Sequence, residues 1–162
     1  MKRRVFLIAA PALLLAGCGF ELRRFDGVPF SSIYIDAVAG SGMAAKLRNA
    51  LAAGGKTRVV DDPAQAEVTL KIGKETRKRN ILALSGAGQV TEYRLTFQMD
   101  YSVTGKAGQT LVEPSTIELF RDFSYDVSAL LAKGAEENML NLDMEDDAVQ
   151  QIVRRLRSLK AF

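Results

Sequence analysis

The stretch Glu92 to Val103 constrains this chain most, because it alternates for twelve residues without a break. Tyr93, Leu95, Phe97, Met99, Tyr101 and Val103 fall on one side, and Glu92, Arg94, Thr96, Gln98, Asp100 and Ser102 on the other. Successive side chains of a strand point to opposite faces, so the pattern requires a sheet with one covered face and one wet or functional face.

The remaining segments can be read around that strand. Ser31 to Ala37 alternates Ile33 with Ile35, Thr57 to Val60 is a second short strand, and Glu67 to Gly73 turns Val68, Leu70 and Ile72 inward. Ser41 can cap a helix running through Ala53, with Met43, Leu47, Ala50 and Leu51 on one face and Gly54-Gly55 closing it. Two strands joined through that helix pair in parallel if they are neighbours. Gly105-Lys106-Ala107-Gly108 reads as a hairpin turn into Thr110 to Asp122, which Pro114 confines to an edge or a bulge. Toward the C-terminus, Met139, Leu142, Val149, Ile152, Val153, Leu156 and Leu159 recur near helical spacing, with acids early and Arg154, Arg155, Arg157 and Lys160 late. The expected fold is α+β, with two helices packed on one face of a mixed, mostly antiparallel sheet of about four strands.

The N-terminus has a different character. Lys2, Arg3 and Arg4 precede an apolar run from Val5 to Ala16 and then small residues, the order of a secretory signal. Twelve helical residues reach only ~18 Å, short of a hydrocarbon core of ~30 Å, so the run is no membrane span. Leu15-Ala16-Gly17-Cys18 resembles the lipobox of bacterial lipoproteins, in which the thiol is alkylated by diacylglycerol and cleavage before it frees an amine for another acyl chain. Cys18 is the only cysteine, so it has no intramolecular disulfide partner, and lipidation explains both its presence and its solitude. Several chains, at ~0.8 kcal/mol per buried CH₂, anchor stably where one is marginal. Gly19 stands where an Asp would resemble an inner-membrane retention signal, so the expected site is the outer membrane, with a periplasm-facing anchor. Arg3-Arg4-Val5-Phe6-Leu7 also resembles the core of a twin-arginine signal, which leaves the export route open. The expected organisation is a signal at residues 1–17, a lipidated tether at 18–30 and one domain at 31–162.

Removing the signal changes the charge. The chain carries 22 Lys plus Arg against 19 Asp plus Glu; three of the basic residues are Lys2, Arg3 and Arg4, and no acid precedes Cys18, so the balance afterwards is 19 against 19. Nucleic-acid binding loses its main support. Locally, Lys71, Lys74, Arg77, Lys78 and Arg79 form a basic stretch and Glu136 to Asp147 an acidic one, either of which can be simply a solvated face.

The catalytic inventory is thin. The chain has no histidine and its one cysteine belongs to the lipobox, so zinc, haem, Cys-His and Ser-His chemistry lack their usual groups. Ser85-Gly86-Ala87-Gly88 is neither a nucleophile elbow nor a dinucleotide loop, since Thr91 stands where a third Gly is needed; it reads as a hairpin tip. Asp143 to Asp147 lacks the glycine and distal glutamate of a calcium loop and reads as the acidic first turns of a helix. The chain is expected to be a binding protein without cofactor or metal. A periplasmic hydrolase using Asp or Lys is the enzymatic alternative.

Four strings then stand in order: Cys18-Gly19-Phe20-Glu21-Leu22-Arg23, Gly88-Gln89-Val90-Thr91-Glu92-Tyr93, Phe120-Arg121-Asp122-Phe123 and Leu130-Leu131-Ala132-Lys133. Together with the terminal Ala148 to Leu159 they resemble the LptE family of lipopolysaccharide-assembly lipoproteins. That resemblance implies a small α+β domain that sits inside the large outer-membrane β-barrel LptD as plug and assembly partner, and that contacts lipopolysaccharide. Lys133, within the family-like Leu-Ala-Lys string, is the first candidate for lipid contact. Family members can carry a basic residue in the hairpin loop before Gly-Gln, where this chain has Ser85, Gly86 and Ala87; Arg77, Lys78 and Arg79 upstream are the candidates to supply the charge instead. A lipoprotein subunit of another envelope machine, such as a secretion pilotin or a barrel-assembly component, is the alternative reading.

Overall fold

Five strands and two helices form from these residues. The computed structural model describes residues 28–55 and 57–160, so the expected signal segment, Cys18 and most of the expected tether lie outside the described residues. Strand β1 (Ser32–Asp36) leads into helix α1 (Gly42–Ala53) and strand β2 (Arg58–Val60). Three long strands follow, β3 (Val68–Leu84), β4 (Val90–Gly105) and β5 (Thr110–Ser124), and then helix α2 (Leu130–Arg157). The sheet order is β2-β1-β3-β4-β5. β1 is parallel to β2 and β3, whereas β3, β4 and β5 form an antiparallel meander. The architecture is thus the expected α+β, with five strands where the sequence counts about four.

Local chemistry explains most boundaries. Ser41 Oγ accepts from the Ala44 N–H at 3.2 Å and caps α1. Gly88 and Gly108 take φ of 77° and 81° in the two hairpin turns, a region open to glycine at no steric cost. Pro114, which cannot donate to a ladder, lies in β5 at the sheet edge, beside a register shift.

The core lies between one sheet face and both helices. Ile33, Ile35, Val68, Leu70, Ile72, Leu95, Phe97, Met99 and Val103 from the strands meet Met43, Leu47, Leu51, Met144, Val149, Ile152 and Leu156 from the helices in a single cluster. Phe30, at the expected end of the tether, is buried in it too.

Strand β3 departs from expectation. The sequence ends it at Gly73, yet it runs on to Leu84. Between Ile72 and Glu75 the register with β4 slips by one residue, a β-bulge opposite Asp100. Gly73 permits it, since a Cβ there would come within 3.0 Å of Asp100 Cβ and 3.2 Å of its carbonyl oxygen. Past the bulge the inward phase moves to odd numbers, so Glu75, Arg77 and Arg79 oppose Met99, Phe97 and Leu95. Those inward positions are charged, and the apolar alternation that signals a strand disappears.

Helix α2 also begins earlier than its apolar spacing shows. Its first turn holds no acid, and Asp143 to Asp147 sit in the middle of the helix instead of in its first turns. Their partners are cations rather than the helix dipole: Arg121 donates to Asp143 and Asp147, Lys46 lies 3.1 Å from Glu145 and 2.7 Å from Asp146, and Arg77 lies 2.6 Å from Glu145.

Candidate functional site

The end of the sheet farthest from β1 gathers the candidate residues. The β3-β4 hairpin turns through Ser85 to Gly88, with Ser85 Oγ accepting from the N–H groups of Ala87 and Gln89 at 3.3 and 3.2 Å. At the same end the Tyr125 N–H donates to the Thr91 carbonyl at 2.8 Å, which brings the start of α2 beside the hairpin.

Aromatic side chains form the floor. The Tyr93 ring stacks near Phe123 at 5.9 Å between centroids and meets Tyr125 edge-on at 5.0 Å. Arg79 lies over the Tyr93 ring at 4.8 Å and pairs with Glu137 of α2 at 2.9 Å. Glu137 foremost, by its hydrogen bond, holds the Arg79 guanidinium in its charged form. Lys133 donates to Ser124 Oγ at 3.2 Å and to Glu136 at 2.8 Å. Arg79 therefore covers the aromatic cluster from β3, while Lys133 of α2 reaches the end of β5 at Ser124, the residue between Phe123 and Tyr125.

The other two candidates stand apart. Arg77 sits two residues closer to the bulge, over the Phe97 ring at 5.4 Å and bonded to Glu145, so it is a brace between β3 and α2. Lys78 pairs with Thr96 and points to the opposite sheet face. The basic stretch is therefore not one surface: the strand's two-residue period sends its arginines toward the helix and Lys78 away from it.

Exposed apolar side chains rim the same end. Ile81, Leu82 and Leu84 from the hairpin and Val127, Leu130 and Leu131 from the start of α2 all remain substantially in solvent, Leu131 at 90%. The run Ile81-Leu82-Ala83-Leu84 beside a turn is the sequence signal for half of this rim, legible only once β3 is known to extend that far. No group of His, Cys, Asp and Glu among the described residues is arranged to hold a metal ion.

Known proteins share this sequence pattern and fold. A family model described as LptE, lipopolysaccharide-assembly, matches residues 30–156. The LPS-assembly lipoprotein LptE of Pectobacterium atrosepticum is 26% identical over 98% of this chain and 88% of its own length. That of Yersinia enterocolitica is 28% identical over 96% of this chain and 77% of its own. Among solved structures, lipoprotein B of Nitrosomonas europaea superposes with a TM-score of 0.74 at 34% identity, covering 86% of this chain and 88% of that one. The rare lipoprotein B of Shewanella oneidensis superposes at 0.70 with 23% identity, over 79% and 95%, a likeness of fold. With its α+β sheet matched across nearly the whole described domain, this chain belongs to the LptE family of lipopolysaccharide-assembly lipoproteins, which are assembly factors and not enzymes.

Proposed function

We propose that the protein is anchored by lipid on Cys18 to the periplasmic leaflet of the outer membrane and acts there as plug and assembly partner of the LptD β-barrel, binding lipopolysaccharide on its way to the cell surface. The observation that carries the lipid-binding half is the far end of the sheet, where Arg79 over Tyr93 and Lys133 bonded to Ser124 stand at the same end as a rim of exposed apolar residues. An amphiphile with phosphates beside acyl chains matches that combination, because Lys and Arg bind phosphate through charge-assisted hydrogen bonds while the rim takes apolar surface. Arg79 and Lys133 are each held by one carboxylate and keep further N–H donors for a ligand. Arg77 contributes through the brace, and Lys78 contributes charge from the other face.

The barrel half rests on family membership and on the polar outer face of β4, which suits the polar lumen of a large barrel. Affinity purification of the lipidated protein from detergent-solubilised outer membranes tests it. One large β-barrel should co-purify in a fixed ratio; recovery of the lipoprotein alone, or with a secretion or barrel-assembly complex, rejects the reading.

A further inference from the structure

The two helices cover only one face of the sheet; on the other, among the described residues, no element packs. Three long strands make up most of that bare face. At ~3.3 Å per residue and ~4.8 Å between strands, 15 to 17 residues in three strands give a strip on the order of 700 Å² before side-chain relief, near the ~800 Å² per partner of a standard interface.

Its chemistry is unlike that of the apolar end. Arg94 grips Asp122 with two hydrogen bonds of 2.7 Å and lies over the Phe120 ring at 5.0 Å. Gln98 donates to Glu118 at 2.9 Å and Thr116 to Asp100 at 2.6 Å. The side chains are thus fixed across strands before any partner arrives, which lowers the ordering cost of association. Phe120, 57% exposed on the edge strand of this polar strip and carrying an arginine on its face, has the composition of an interface anchor.

We propose that this bare face of β3, β4 and β5, centred on Thr96, Gln98 and Phe120, is the surface that seats against the inner wall of the barrel. This rests on the barrel reading above. Charge decides among possible occupants. The strip carries both signs of charge, Arg94 paired with Asp122, Lys78 on the β3 side and Glu118 on the β5 side, so it has neither the apolar area that a lipid surface needs nor the single-sign field that an anionic polymer needs. A wall of mixed polar side chains complements it, and such walls line barrel lumens.

The sole cysteine, Cys18, lies in the lipobox-like string, so a single introduced cysteine can be followed by a water-soluble maleimide, with the parent protein setting the background. Thr96→Cys and Gln98→Cys probe the bare face; Gln150→Cys probes the exposed side of α2. In the purified lipoprotein all three should react, Gln150 fastest because it is exposed while Thr96 and Gln98 are half-buried. In the complex isolated with its barrel, the Thr96 and Gln98 positions should slow at least tenfold, while the Gln150 position changes less than twofold. Equal rates at Thr96 with and without the barrel overturn the assignment, as does protection at Gln150 alone, which would seat the helices on the wall. Protection at all three gives an enclosed domain with no preferred face and also rejects it. Protection at Thr96 in the isolated lipoprotein assigns the face to the chain's own N-terminal segment. If the parent protein captures no barrel at all, the barrel reading fails and this proposal falls with it.

Discussion

Arg77 on β3 donates to Glu145 on α2 at 2.6 Å while its guanidinium lies over the Phe97 ring, so one side chain joins the bulged strand, the middle of the sheet and the long helix. Arg77→Glu should lower stability by about 1–3 kcal/mol, because it sets a second carboxylate against Glu145 and removes the stacking. Arg77 is nearly half exposed, so solvent screening keeps the loss toward the lower end. Urea denaturation of Arg77→Glu alone and combined with Glu145→Arg measures this; the double variant should recover part of the loss. Absence of any recovery would show that the pair is incidental.

The bulge at Gly73 gives a steric prediction. Gly73→Val places methyl groups where a Cβ alone already meets Asp100 at 3.0 Å, so it should cost about 1–3 kcal/mol. Gly86→Val, with nothing within 4 Å of its Cβ position, should cost far less. Thermal melts of the two compare them directly, and similar losses would refute the close approach.

The two faces of β4 should respond oppositely. Phe97 is fully buried, and Phe97→Ala should cost about 3–5 kcal/mol. Phe97→Asp should be worse, since it also buries an unpaired carboxylate. Thr96→Asp should be mild, because its side chain lies on the bare face. Equal damage from Phe97→Asp and Thr96→Asp in chemical denaturation would contradict the face assignment.

Acid should destabilise the fold through identifiable carboxylates. The Ser31 hydroxyl and N–H hold Glu67 below its ordinary 4.5, the Ser128 N–H and hydroxyl hold Asp126 below 3.8, and the Arg94 hydrogen bonds hold Asp122 below 3.8. A carboxyl whose folded pKa is depressed stabilises at pH above its unfolded value and loses that contribution as pH falls through the folded one. The melting temperature should therefore stay level between pH 8 and about 5 and drop below pH ~4.5. Glu67→Gln should flatten part of that drop. An unchanged acid slope in Glu67→Gln would show that its bonds to Ser31 contribute nothing.

Binding of purified lipopolysaccharide should distinguish the candidate cations. Lys133→Glu is expected to weaken it, by an amount that shrinks with added salt, with a stability loss of about 1 kcal/mol from the lost pairing with Glu136. Arg79→Gln should act in the same direction, since it stands at the same end of the sheet, and Lys78→Glu should act less because it stands on the other face. Normal binding by a folded Lys133→Glu protein would remove Lys133 from the site.

Much of this architecture is written locally. The alternation from Glu92 to Val103, the Ser41 cap, the glycines of the two hairpin turns and the edge proline Pro114 each act through a few neighbouring residues, so the sequence by itself determined a sheet with one wet face and a capped first helix. Cys18 in its lipobox-like string and the four ordered strings are likewise properties of the chain alone, and they sufficed to indicate the family. The second half of β3 was different. Whether Lys74 to Leu84 forms a strand depends on where β3 inserts one extra residue opposite β4, and that is settled by the approach of Gly73 to Asp100 across the sheet. Only the resulting phase decides that Arg77 and Arg79 meet acids of α2 while Lys78 faces away. An acidic run and a basic run that look like two solvated surfaces become a set of clasps, because side-chain direction in a sheet is fixed by register with a partner strand, and register is a property of the assembled fold.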